Sequence, residues 1–179
     1  MASQPGPNRK NGNIPLVAVT GFRNTGKTTA IEGMVGELAD RGYRVGTLKH
    51  CHSGYDLDLP GKDSWRHRRA GATRTVLTGP NGFALLGEPM PEENLHHLAE
   101  WLFPDMDLVL AEGYHWLPLP HIEIQRCDGA TRPRHPDGKT LGWLPSRFGA
   151  PQISEMCDLL VQHCIPGTVR KPRRERTPI

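Results

Sequence analysis

The octapeptide Gly21-Phe22-Arg23-Asn24-Thr25-Gly26-Lys27-Thr28 meets the pattern G-x-x-x-x-G-K-[ST] at every fixed position, and no other stretch limits the possible folds of this chain as much. A loop that wraps a phosphate chain must press backbone N–H groups against oxygens. Gly21 and Gly26 give it the close approach and positive φ angles this needs. Lys27 adds a full positive charge within reach of the β- and γ-phosphates, and the Thr28 hydroxyl is a ligand for Mg²⁺. Asn24 and Thr25 line the loop, and Thr29 adds a second hydroxyl after Thr28.

The pattern needs a buried strand before it and a helix after it. Leu16-Val17-Ala18-Val19-Thr20 is apolar and β-branched, as a buried parallel strand should be. Beyond the loop the period changes. Ile31, Met34, Val35 and Leu38 form one stripe on a helix expected from Lys27 to Arg41, stopped by Gly42. The helix thus starts where phosphates would sit, and its positive end adds to the attraction.

At 179 residues and 36% hydrophobic, the chain suits one soluble domain, expected at residues 15–167. No apolar run approaches the ~20 residues of a membrane span. Residues 1–14 read as a flexible polar leader without the apolar core of a secretory signal. Cys51, Cys127, Cys157 and Cys164 are then expected as reduced thiols in a cytoplasmic protein. The net charge of +3 has a local origin: residues 168–179 hold five basic residues and one acidic, leaving 17 basic against 18 acidic elsewhere. The body is no basic nucleic-acid surface, and residues 168–179 read as a basic flexible tail.

Arg44-Val45-Gly46-Thr47-Leu48 reads as a second parallel strand, reached by a right-handed crossover. Ligands of such sheets lie at the carboxyl ends of the strands, which brings Lys49 and His50 to the rim of the phosphate loop. The loop that follows holds Asp56, Asp58 and Asp63. His50, Cys51 and His52 lack the paired spacing of a zinc site. Asp56 and Asp58 project the same way if the loop is extended, and two readings stand side by side: action through water on Mg²⁺ or contact with a partner ligand, against turn formation beside Gly and Pro. Asp63 or Ser64 is expected to cap a short helix carrying Arg66, Arg68 and Arg69, which are either lid residues of a phosphoryl-transfer enzyme or a solvated face. Residues 73–78 and 83–86 form a hairpin around Asn81-Gly82. Added to a parallel sheet, it would offer an edge for pairing with a second chain.

Pro91 opens the next expected helix, with Leu95, Leu98, Ala99 and Leu102 as its buried stripe and His96 and His97 on its polar side. In Asp107-Leu108-Val109-Leu110-Ala111-Glu112, four apolar residues lead to a carboxylate. The two acids stand roughly 16 Å apart on a strand, so the one at the ligand end, Glu112, is expected at the metal. His121 to Arg126 alternates like a half-exposed strand, and Ile153, Met156, Leu160 and Cys164 mark a terminal helix. Together these elements predict an α/β, three-layer fold of the P-loop NTPase type, its sheet mostly parallel with an added β-hairpin.

The loop GFRNTGKTT, the stretch TLKHCHSGYDLDLPGKDSWRHRRAGA, and DLVLAEGY followed by LPLPHIEIQR resemble the molybdopterin-guanine dinucleotide biosynthesis protein B family from about Leu16 to Ala130. The resemblance implies a GTP- and Mg²⁺-binding homodimer that assists a molybdopterin guanylyltransferase in joining GMP to molybdopterin, which is itself a candidate ligand. It assigns Gly21 to Thr29 to the phosphate loop, Glu112 to the metal, and Asp56, Asp58 and the Gly61–Ser64 stretch to a loop near the nucleotide. Guanine rests on the resemblance, since no N-K-x-D segment is present. With no evident glutamine or base to orient water, hydrolysis is expected to be slow. The alternative is a P-loop small-molecule kinase with the Arg66–Arg69 arginines as lid residues and Asp56 or Asp58 as base.

Overall fold

The computed structural model describes residues 13–52, 54, 57–88, 91, 94–126, 139–168 and 170. In chain order the elements are β1 (Leu16–Gly21), α1 (Lys27–Asp40), β2 (Val45–Lys49), α2 (Asp63–Arg69), β3 (Arg74–Gly79), β4 (Gly82–Gly87), α3 (Leu95–Leu102), β5 (Leu108–Glu112), β6 (His121–Gln125), β7 (Thr140–Pro145) and α4 (Ala150–Cys164). They fall into two compact units, one running to His50 and resuming at Leu95, the other spanning Cys51–Asn94.

The larger unit is a five-stranded sheet in the order β2-β5-β1-β6-β7, with every pairing parallel. The expected α/β architecture with a parallel sheet is therefore present. β2 does not lie against β1, because β5 is inserted between them. β1 lies in the middle of the sheet with packed layers covering both its faces, which is why its sequence is apolar without alternation. On one face Val17, Val19, Leu108, Leu110, Ile122 and Ile124 pack under Met34 and Leu38 of α1 and Met156 and Leu160 of α4. On the other, Leu16, Ala18, Val109 and Ala111 pack with Leu95 of α3, Tyr114 and Leu119.

Close helix approach is built in: a methyl group at Gly33 of α1 would lie 3.2 Å from Ile153 of α4. Arg41 joins the same helices, its guanidinium donating to Glu37 at 3.0 Å, Asp158 at 2.5 Å and the Ser154 hydroxyl at 2.9 Å. Burial pushes the thiols of Cys157 and Cys164 up to about 12 and about 11, so both stay protonated and unreactive at neutral pH. Cys51 is also a free thiol, while Cys127 lies outside the described residues.

β6 departs from its expected character. His121, Ile122, Glu123 and Ile124 are all buried, because β1 and β7 flank the strand and both sheet faces are covered. The alternation of His121-Ile122-Glu123-Ile124 thus records two different buried environments. Leu102 of α3, expected in the buried stripe, is exposed, and the buried residues of that helix are Leu95 and Ala99. His96 and His97 are exposed as expected. The helix begins at Leu95 rather than at Pro91, whose carbonyl accepts from the Asn94 N–H.

In the smaller unit the hairpin forms its own two-stranded antiparallel sheet instead of extending the parallel one. Gly79 pairs with Gly82, so the two-residue turn is Pro80-Asn81, and Gly82 follows it with a φ of 126°. α2 starts from Lys62 as its cap residue; Ser64 donates to Asp58 instead of capping the helix. Among the described residues no helix is long and apolar enough to cross a membrane.

Candidate nucleotide-binding site

The phosphate loop joins β1 to α1 at the carboxyl rim of the parallel sheet. Gly21 has a φ of 139°, and a Cβ there would stand 2.6 Å from the Ile124 carbonyl, so both conformation and space demand glycine. Gly26 caps α1 at a φ of 90°, and Asn24 holds a left-handed φ of 61° that asparagine tolerates better than most residues. The Thr25 hydroxyl is buried and donates to the Phe22 carbonyl at 2.9 Å, tying the loop to itself.

Lys27 stands at the first position of α1 and folds back over the loop. Its ammonium donates to the carbonyls of Gly21 at 3.2 Å and Phe22 at 2.7 Å. Burial lowers its pKa from the ordinary lysine value; the Glu112 carboxylate opposes that shift and the Lys49 ammonium adds to it. A partly desolvated cation held by neutral carbonyls is ready for an anion. Thr28 is the next residue, and its hydroxyl donates to Glu112 at 3.2 and 3.3 Å from the two carboxylate oxygens. Thr29 follows on the exposed side of the helix.

Glu112 ends β5 in register with Val19 on one side and Lys49 on the other. Lys49 completes the group with its ammonium 3.4 Å from Glu112. The backbone repeats this convergence, since His50 N–H donates to the Glu112 carbonyl and Gly113 N–H to the Val19 carbonyl. The His50 ring sits 5.5 Å from that of Tyr114 and 4.9 Å from that of Trp116. Lys27, Thr28, Lys49, His50 and Glu112, separated by up to 85 positions in sequence, therefore occupy one rim. A hydroxyl and a carboxylate facing each other beside two ammonium groups fit a hydrated divalent cation and the phosphates it would bridge. Asp107, at the opposite end of β5, is buried and receives the Arg44 N–H at 2.8 Å and the Arg170 guanidinium at 2.5 Å. It anchors structure, as its position before the strand suggests.

Asp58 and Asp63 belong to the smaller unit and have partners within it. Asp58 accepts from the Ser64 hydroxyl at 2.7 Å and from Arg68 at 3.0 Å, and Asp63 faces Arg66 at 3.8 Å. Arg69 lies over the Trp65 ring. The arginines considered as lid residues are thus engaged on or beside α2, which gives the kinase alternative no support. Asp56 lies outside the described residues.

Two groups escaped the sequence reading. Glu123 in mid-β6 is buried, with no hydrogen-bond or ion-pair partner among the described residues, and burial raises its pKa. His121, two residues earlier, is also buried; its Nε2 lies 3.0 Å from the Thr140 hydroxyl and burial lowers its pKa. The other group is the turn after β7. A methyl group at Gly26 would touch Phe148 Cε1 at 3.6 Å and the Ser146 carbonyl at 3.8 Å, so this turn borders the phosphate loop. Its position at a strand's carboxyl end was the available signal.

The family model for molybdopterin guanine dinucleotide synthesis protein B matches residues 16–141. Two curated relatives are molybdopterin-guanine dinucleotide biosynthesis adapter proteins. The one from Haemophilus influenzae is 38% identical over 65% of this chain and 66% of its own length; that from Escherichia coli is 37% identical over 67% and 70%. The matched part thus spans about two thirds of these relatives. A crystal structure of Bacillus subtilis MobB is 29% identical, with a TM-score of 0.59 over 75% of this chain and 82% of that one. With the family model covering well over half of its length, this chain belongs to the molybdopterin guanine dinucleotide synthesis protein B family.

Proposed function

We propose that this chain is a Mg²⁺- and GTP-binding adaptor in molybdenum cofactor biosynthesis, assisting a molybdopterin guanylyltransferase in attaching GMP to molybdopterin. The observation that carries the nucleotide part is the meeting of the Thr28 hydroxyl and the Glu112 carboxylate at 3.2 and 3.3 Å, beside the Lys27 ammonium. Thr28 and Glu112 would hold Mg²⁺, Glu112 directly or through water. When bound, the ion would neutralise charge on the β- and γ-phosphates. Lys27 would exchange its two carbonyl partners for phosphate oxygens, and backbone N–H groups from Asn24 to Thr29 would line the rest of the phosphate chain. Lys49 adds charge beside Glu112, and His50 fixes the backbone that places it.

The adaptor role is supported by the relatives, which are molybdopterin-guanine dinucleotide biosynthesis adapter proteins. The sequence offers no evident glutamine or base to orient an attacking water, so any GTP hydrolysis is slow. A homodimer fits the hairpin unit, whose Val76, Leu77 and Phe83 side chains are exposed on a two-stranded sheet. The working compartment is the cytoplasm, and molybdopterin is a second candidate ligand. Reconstitution of guanine dinucleotide formation at limiting GTP, with the transferase alone or with this protein, tests the function. Faster product formation with wild-type protein, lost in Lys27→Ala, is expected. Equal rates with and without the protein would refute it.

A further inference from the structure

The parallel sheet changes direction between β1 and β6: the chain leaves β1 toward β2 on one side and leaves β6 toward β7 on the other. Crevices at such switch points, outside the carboxyl ends of the strands, are where open α/β sheets bind ligands. The loop after β1 is the phosphate loop, and its metal end is marked on the β5 side by Thr28, Glu112 and Lys49. A triphosphate whose β- and γ-groups lie there has its α-phosphate and nucleoside directed to the opposite side, toward β6 and β7. What borders the phosphate loop on that side is the turn Ser146-Arg147-Phe148-Gly149, through Phe148 and the Ser146 carbonyl at Gly26. The turn is itself held in place, because Ser146 N–H donates to the Gln125 carbonyl at 2.7 Å and Gly149 N–H to the Gln152 side chain at 2.9 Å. It lies beyond the residues that the family model matches.

We propose that the Ser146–Gly149 turn is the base subsite of the nucleotide site, with Phe148 as its stacking surface and Arg147 as the residue that selects guanine. This rests on the nucleotide reading given above. Phe148 is partly buried against the phosphate loop and offers an aromatic face for any purine. Arg147, between the two residues that reach Gly26, is exposed, and no hydrogen bond or ion pair engages it among the described residues. Guanine presents two acceptors, O6 and N7, on one edge, and a guanidinium matches both with parallel N–H donors; adenine presents an amino group in place of O6. The turn has no carboxylate to read the guanine N1–H and 2-amino group. Inosine triphosphate, which keeps O6 and N7 and lacks the 2-amino group, should therefore bind almost as well as GTP.

The test is competition of GTP, ITP and ATP against a fluorescent guanine nucleotide on the full chain, for wild type, Arg147→Ala, Phe148→Ala and Lys27→Ala, with folding checked by thermal melts. Wild type should bind GTP and ITP within about threefold of each other and ATP more weakly. Arg147→Ala should lose about tenfold for GTP and ITP and under twofold for ATP. Phe148→Ala should weaken all three by about tenfold. An unchanged GTP-to-ATP ratio in Arg147→Ala, or ITP binding as weakly as ATP, overturns the proposal. If Lys27→Ala abolishes binding while both turn variants bind like wild type, the base subsite alone fails. If Lys27→Ala binds like wild type, the nucleotide site fails and the subsite with it.

Discussion

The phosphate loop and the Cys51–Asn94 unit are both rich in charged and polar residues, and they use them in opposite ways. At the loop, backbone conformation comes first: Gly21, Asn24 and Gly26 take positive φ angles, and a buried strand fixes where their N–H groups stand. Lys27 settles on neutral carbonyls rather than on a carboxylate, so its charge is left to be matched from outside. In the smaller unit the charges already match one another, Asp58 with Ser64 and Arg68, and Asp63 with Arg66. There it is apolar surface that remains uncovered, with Phe83 78% exposed. The contrast separates a binding site from a charged surface better than residue type does. What matters is whether a charge's partner is already supplied within the chain.

Glycine substitutions should give the largest difference between the two regions. Gly21→Ala forces a side chain into positive φ and onto the Ile124 carbonyl, and is expected to cost about 3 kcal/mol in denaturant unfolding together with nucleotide binding. Gly71→Ala, at a φ of 110° with nothing within 4 Å, should cost about 1 kcal/mol and leave binding intact. Equal losses would break the comparison. Next are the carboxylates. Glu112→Gln should weaken Mg²⁺-GTP by about tenfold and barely alter metal-free GTP, measured by titration with and without EDTA. Asp58→Asn should cost about 1 kcal/mol of stability and leave GTP affinity within about twofold. A large affinity loss there would bring Asp58 into the site.

A smaller effect is expected from pH. Only protonated Lys27 attracts phosphate, and burial lowers its pKa. Affinity should therefore fall as pH rises through that lowered value, at a lower pH than an ordinary lysine would require. Comparing the GTP affinity of wild type and Lys27→Arg up to pH 10 isolates this effect, since arginine keeps its charge. Identical profiles would remove the shift from the account. Smallest is Glu123. Its raised pKa means that folding favours the neutral acid, so its contribution to stability is present at low pH and is lost as pH rises through the folded value. Glu123→Gln should be more stable than wild type by about 1 kcal/mol at neutral pH, with the gap closing on acidification in pH-dependent melts.

Where function depends on consecutive residues, the sequence was legible. The phosphate loop, β1, α1 and the carboxylate ending β5 each carry their reason locally: glycine at a strained turn, an apolar run, a helical period, an acid at the ligand end of a strand. Where it depends on what lies beside a segment, the sequence was not. His121-Ile122-Glu123-Ile124 alternates as a half-exposed strand would, and only its place inside the sheet, between β1 and β7 with both faces covered, buries all four. The insertion of β5 between β1 and β2, and the approach of Phe148 to Gly26 across more than a hundred residues, leave no periodic trace. Asp58 looked like Asp56 by spacing, and its partners were settled by the fold of its own unit.

The central claim is that a backbone cradle with one ammonium group holds a nucleoside triphosphate at the start of α1. Calorimetric titration of Mg²⁺-GTP into wild type and into Lys27→Ala, each shown to be folded, tests it most directly. Loss of about a hundredfold or more in affinity, with an unchanged melting temperature, is the predicted result. Undiminished affinity in folded Lys27→Ala would contradict it.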